Sequence, residues 1–273
     1  MKRLLLFSAL LVAFVCSAHA QLDGANSPGV SASLIRLFGT NNAFTALAEV
    51  QVLDKDNKER IGMPMNFTLL ENKIRLEVDM AKLRGREQAE AVARMRPLGL
   101  DSVVSIIRPD QRVSCIIFPK VRAFTKLEMP HTEADAFTRK VKIERTAVKK
   151  EKMQGRACVK SRVTITAEDG SKHEATVWNA SDLRDFPVCV ATKENEGTVV
   201  IRFSQIQFVR AETNKFEPPA GYMSCADMQV LALGPGMKYM AENGTAINVS
   251  KPAKATTPVA RKAQKAGENS SKK

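Results

Sequence analysis

Between Phe44 and Val52 every even-numbered residue is apolar, while the odd-numbered ones are mostly polar. A period of two predicts a strand with one buried face, here Phe44, Ala46, Ala48, Val50 and Val52. Asp54 to Lys58 (DKDNK) forms a turn, and a second strand runs over about Pro64–Leu70 with Met65, Phe67 and Leu69 apolar. After Glu71-Asn72 a third strand sets Ile74, Leu76, Val78 and Met80 against Lys73, Arg75, Glu77 and Asp79. That is the cleanest alternation in the chain, with core on one side and water on the other.

The period then changes. Ala89, Val92, Ala93 and Arg96 fall at helical spacing, which predicts a helix of about three turns within 85–98, ended by Pro97 and Gly99. Strands return at Ser102–Ile107 and Arg112–Phe118, with a short one at Val121–Leu127, and 129–136 reads as a loop or helical turn. A meander follows, with strands at about 140–150, 156–167, 173–179, 187–193 and 197–209; Asp169-Gly170 suits a hairpin turn. Ahead of these, 21–42 is a polar lead-in with a short helix at Ser31–Phe38. About ten strands with short connections predict a mainly β (α+β) fold, an antiparallel sheet whose apolar face must wrap something.

The chain ends change the picture. Lys2 and Arg3, the apolar run Leu4–Val15 and Ala18-His19-Ala20 read as a secretory signal over 1–20, cleaved between Ala20 and Gln21. Twelve apolar residues are too few to span a bilayer. The alternative, acylation of Cys16, fits poorly after Phe14-Val15. The expected location is periplasmic or secreted, with no transmembrane segment in the mature chain. Of the formal charge of +13, the signal holds two bases, and 249–273 holds seven bases against Glu268 alone. Residues 21–248 are left at +5. The final 25 residues have no aromatic and no periodicity, so they read as a disordered basic tail. Such a tail is either a solvated terminus or a tether to an anionic envelope polymer or membrane. Export and an aromatic content of 5% argue against nucleic acid as a partner.

Four cysteines follow the signal: Cys115, Cys158, Cys189 and Cys225. An even count in an exported chain predicts two disulfides, with free buried cysteines the alternative. Cys158 and Cys189 would lie two strands apart, about 9.5 Å, beyond the reach of a bridge, about 7 Å. The remaining pairings are 115–158 with 189–225, or 115–189 with 158–225.

Met63-Pro64-Met65-x-Phe67, the run Val103–Asp110 (VVSIIRPD), Trp178-x-Ala180-x-Asp182-Leu183-x-Asp185-Phe186-Pro187 and Phe216-Glu217-Pro218-Pro219-Ala220-Gly221-Tyr222 resemble an exported bacterial family with a domain of unknown function. That family is similar in turn to the LolA/LolB-like periplasmic lipoprotein carriers. The resemblance covers about 43–223 and leaves 224–248 as a C-terminal extension. It implies a curved antiparallel half-barrel closed by one or a few helices, with an apolar concave face that in such carriers accommodates acyl chains. A lipid or acylated protein is the partner class it implies. No residue here matches the Arg of LolA gating, so lipoprotein transfer is not carried over.

Catalytic chemistry is sparse. His131 and His173 are the only histidines after the signal; the first stands near Glu133 and Asp135 and reads as a solvated loop residue. Asp182 and Asp185, beside Arg184, read as turn residues. Met63, Met65, Met80 and Met95 are apolar fillers suited to flexible chains. No nucleophile elbow, zinc motif, phosphate loop or dinucleotide fingerprint occurs. The expectation is a non-enzymatic binding protein with no cofactor and no metal. Its ligand would lie on Phe44, Ala46, Ala48, Val50, Val52, Met65, Phe67, Leu69, Ile74, Leu76, Val78 and Met80. The same residues would equally build a filled core under a covering helix. In that case the protein is a structural or interaction component of the envelope.

Overall fold

The computed structural model describes residues 30–168, 170–194 and 197–243. The signal and its cleavage site, the start of the lead-in and the basic tail lie outside the described residues. Helix α1 (Val30–Leu37) precedes β1 (Ala43–Leu53), β2 (Glu59–Leu70) and β3 (Lys73–Asp79). Helix α2 (Arg86–Met95) leads to β4 (Ser102–Arg108), β5 (Val113–Phe118) and β6 (Ala123–Glu128). After α3 (His131–Ala136) come β7 (Lys142–Met153), β8 (Arg156–Thr166), β9 (Lys172–Ala180), β10 (Phe186–Glu194) and β11 (Gly197–Gln207). The short strand β12 (Met223–Cys225) and helices α4 (Met228–Leu231) and α5 (Met237–Asn243) end the described chain. The three residues of β12 are too few to show alternation, which is why sequence periodicity misses that strand.

All twelve strands form one open sheet in the order β12-β6-β5-β4-β3-β2-β1-β11-β10-β9-β8-β7. Two antiparallel meanders are joined where β1 pairs with β11, Val50 opposite Ile201. Only β12, on β6, pairs in parallel among these strands. Pro64 sits inside β2 opposite Glu49, just before β2 begins to pair with β3 at Met65. Its missing N–H therefore interrupts no ladder on the β3 side.

Curvature follows from the connections. Ten inter-strand steps separate β6 from β7, roughly 48 Å across a flat sheet. Only the 13 residues 129–141 join them, six in helix α3, a reach of roughly 35 Å. A flat sheet would tear this connection, so the sheet closes into a half-barrel. The connection itself fills the opening: Met129, Ala134 and Phe137 are buried in the inner core.

The seam between the meanders is packed with phenylalanine. Phe44 (β1), Phe67 (β2), Phe186 (β10) and Phe203 (β11) surround Phe38, which follows α1. Ring centroids lie 4.8–5.9 Å apart, mostly edge-to-face, the geometry that aromatic quadrupoles favour. Farther along the inner face, α2 and α4 press Val92, Met95, Met228 and Leu231 onto Met80, Val103 and Ile116. The opposite face of β4 and β5 packs Val104, Ile106 and Ile117 under Phe216. β4 is thus covered on both sides, which its unbroken apolar run Val103-Val104-Ser105-Ile106-Ile107 already suggests. Arg108 clamps that cover. It donates to Asp110 at 2.8–2.9 Å, to the Phe216 carbonyl at 3.3 Å and to Glu217.

The cysteine expectation is overturned: all four are buried free thiols. Cys158 is opposite Ala180 and Cys189 opposite Trp178, so β9 separates them. Cys115 and Cys225 flank β6 and pack in clusters on opposite faces of the sheet. The two pairings left open both require β5 to meet β8 or β10, in the other meander. Strand order, which local spacing cannot report, defeats them.

Phe44→Ala is expected to destabilise the fold by about 3–5 kcal/mol in urea unfolding, more than Phe208→Ala at the cluster's half-buried margin. Thr125 is fully buried between β5 and β12, and its hydroxyl has no partner. Thr125→Val should therefore leave stability unchanged or raise it by about 1 kcal/mol; a loss of that size would reveal a hidden partner.

Candidate functional site

Helix α1 (VSASLIRL) turns Ala32, Leu34, Ile35 and Leu37 toward the sheet. Its last turn is held by two guanidinium groups. Arg36 donates to the carbonyls of Phe137 at 2.6 Å and Arg139 at 2.7 Å, tying the helix to the β6–β7 connection. Arg145 of β7 donates to the Leu37 carbonyl at 3.3 Å, supplying a partner and a positive charge where the helix carbonyls end.

So fixed, α1 roofs a cleft of about 280 Å³ over β8–β11. Leu34 and Leu37 form the roof; Ile165, Ala175, Val190 and Ile201 form the floor. Lys172, His173, Glu174, Thr192, Lys193 and Glu194 border it, and Lys172, Glu174 and Lys193 are exposed. An apolar interior with a charged mouth suits an amphipathic molecule: a chain inside, a polar head at the rim. The volume admits one short chain.

The residues expected from sequence to carry a ligand are placed differently. Phe44, Ala46, Ala48, Val50, Met65, Phe67, Leu69 and Ile74 are buried in the inner core with the phenylalanine cluster. Met80 is buried beside α2. Val52, Leu76 and Val78 stay half-buried on the inner face, together with Met63. None of these residues borders the cleft. The cleft belongs to the second meander, whose strands also alternate but whose proximity to α1 comes from the β1–β11 seam and from the Arg36 and Arg145 contacts, all long-range. His173 reaches the rim because β9 begins one residue before it.

Reactive groups are restrained. Burial raises the pKa of Cys115, Cys158 and Cys225 and pushes Cys189 up to about 11, so none is a ready thiolate at neutral pH. The ring nitrogens of His131 lie 2.7 and 3.0 Å from the Arg112 guanidinium. Asp182 pairs with Arg156, and Arg184 and Asp185 take left-handed backbone angles in the turn before β10. Among the described residues no group of three His, Cys, Asp or Glu side chains is arranged to hold a metal. No described helix is long and apolar enough to cross a membrane.

No family model matches the chain, and no curated protein does. Among solved structures, the Mycobacterium tuberculosis lipoprotein LppX is similar over 64% of this chain and 94% of its own, at 14% identity and a TM-score of 0.35. A LolA superfamily protein from Nitrosomonas europaea is similar over 67% of this chain and 93% of its own, at 10% identity and a TM-score of 0.37. LprF from Mycobacterium bovis covers 70% of this chain and 97% of its own, at 10% identity and a TM-score of 0.36.

The thiols give a direct check. Ellman's reagent at pH 8 should label none of Cys115, Cys158, Cys189 and Cys225 in the native protein within minutes, and all four after denaturation. Fewer than four labelled thiols in denatured, unreduced protein, restored to four by dithiothreitol, would reveal a disulfide and contradict the free-thiol arrangement.

Proposed function

We propose that this chain is an exported, non-enzymatic binding protein that holds an apolar or acyl-chain ligand on the inner face of its half-barrel. The observation that carries this reading is the cleft under α1, apolar within and charged at its mouth. The half-buried Val52, Leu76 and Val78 provide further apolar surface on the same face. The ligand-lining role of the β1–β3 residues belongs to this proposal and centres on these three, because the other nine are engaged in packing. A single acyl chain, or the acyl chain of a modified protein, matches the space better than a lipid with several chains.

The phenylalanine seam favours a second reading for the middle of the sheet. Five rings fill the space between β1, β2, β10 and β11, which supports a structural role for the part of the sheet they occupy.

Ser33 lines the cleft from α1 and is only partly buried, so Ser33→Phe should fill the space without disturbing the core. Protein purified without detergent is expected to bind the fluorescent fatty acid cis-parinaric acid. In Ser33→Phe that affinity should fall about tenfold, equivalent to roughly two displaced methylenes, with the thermal midpoint held. Equal binding by both proteins, or none by the parent and no lipid-sized adduct in native mass spectrometry, would sink the reading.

A further inference from the structure

The +5 charge of the body is a difference between two opposed regions. Residues 139–162, the approach to β7 and the β7–β8 hairpin, contain ten Lys and Arg against Glu144 and Glu151, a net +8. The rest of 21–248 contains 23 bases against 26 acids, a net −3. Most of the positive charge of the folded body is therefore concentrated on one two-stranded ribbon.

β7 is the last strand of the sheet, with β8 on one side and, among the described residues, no strand pairing with its other edge. Every residue from Glu144 to Lys150 is exposed, so both pleat faces of that stretch meet solvent. Glu144 is paired with Lys142 and Glu151 with Lys149, each at 2.7 Å, and Arg156 with Asp182. Lys150, Lys152 and Arg162 have no carboxylate partner among the described residues. Among these bases stands Val148, 57% exposed.

Lysines on an edge strand commonly prevent edge-to-edge pairing. That need does not extend to β8, both of whose edges are paired, yet β8 carries Arg156, Lys160 and Arg162. The ribbon has no aromatic residue, so it offers no stacking platform for bases of a nucleic acid. A dense basic strip with an exposed apolar side chain matches an anionic bilayer, where phosphates meet the bases and an aliphatic group enters the interface.

We propose that the β7–β8 ribbon docks this protein on the surface of an anionic phospholipid membrane. Lys142, Lys149, Lys150 and Lys152 of β7 engage headgroup phosphates, and Val148 seats in the interfacial layer. The proposal is independent of the cleft: docking needs no bound ligand, and ligand binding in solution needs no membrane.

The test uses the full chain and sedimentation with vesicles of phosphatidylcholine containing about one-third phosphatidylglycerol, against pure phosphatidylcholine, at low and high salt. Binding is expected to the anionic vesicles alone, and to be lost at high salt. The fourfold variant Lys142→Gln, Lys149→Gln, Lys150→Gln, Lys152→Gln should bind at least tenfold more weakly. An isocharged control, Lys55→Gln, Lys58→Gln, Lys82→Gln, Lys238→Gln, should stay within about twofold of the parent. The control also keeps the basic tail constant, so equal losses in the two variants would assign binding to net charge or to the tail and overturn the proposal. Absence of anionic-vesicle binding by the parent, or binding to soluble polyphosphate without binding to vesicles, would overturn it as well. Trp178 is the only tryptophan. It donates to Glu151 at 2.6 Å, with the Lys160 ammonium 4.8 Å from its ring, so its emission reports ribbon integrity. If the fourfold variant loses the parent emission, Lys150→Gln and Val148→Asp, made singly, decide: weakening in both supports docking, and parent-like binding in both rejects it.

Discussion

One short connection governs this architecture. The β6–β7 link has 13 residues, yet it must join strands at nearly opposite ends of a twelve-stranded order. Curvature is what allows the same chain to satisfy both. Curvature in turn creates an inside, and the inside must be filled or roofed. Phe38, Phe137 and α1 take that role because Arg36 binds the connection's own carbonyls. The closing segment and the roof are thus one hydrogen-bonded assembly.

Pairing of β1 with β11 is the complementary constraint. It brings together residues more than 140 positions apart, so its ordering cost falls late and its return is large. The phenylalanine cluster sits on that seam, with two rings from the first meander and two from the second. Burial of aromatic area at the joint makes the two halves interdependent instead of separable hairpin stacks. The free thiols suit this picture, since the sheet is held by packing and ladders with no covalent staple.

Local pattern revealed most of the strands and did not reveal the cleft under α1. Alternation over 44–52 and 73–80 gives β1, β3 and their buried faces, and the shift to helical spacing gives α2 with its Gly99 stop, left-handed at φ 68°. Strand order is absent from such signals. An even count suggested disulfides, but Cys115 and Cys225 lie in one half of the sheet, Cys158 and Cys189 in the other. The same gap hid the cleft. The clean strands β1–β3 carry the strongest periodicity, and most of their inward residues are buried in packing. The cleft beneath α1 lies over strands brought into place by the seam. A net charge summed along the chain also conceals position: +5 looked ordinary because an acidic remainder offsets the ribbon.

Strand β8 connects the two functional proposals physically. Its inward-facing Ile165 forms part of the cleft floor, while Lys160 and Arg162, on the other pleat face, belong to the basic ribbon. Arg145 crosses between them from β7, ending α1 with its guanidinium on the Leu37 carbonyl. Lys142, opposite Thr166 at the near end of the ribbon, lies two strands from Lys172 at the charged mouth, roughly 10 Å by strand spacing, while Val148 and Lys149–Lys152 lie about 20–30 Å farther along the strands. At the Lys142 end that separation is short enough for an acyl chain to pass between membrane and cleft without a long exposure of its methylenes to water, each of which costs about 0.8 kcal/mol when hydrated. The hairpin's charge and the helix's roof then serve one end of the sheet, and the phenylalanine seam gives that end a rigid support.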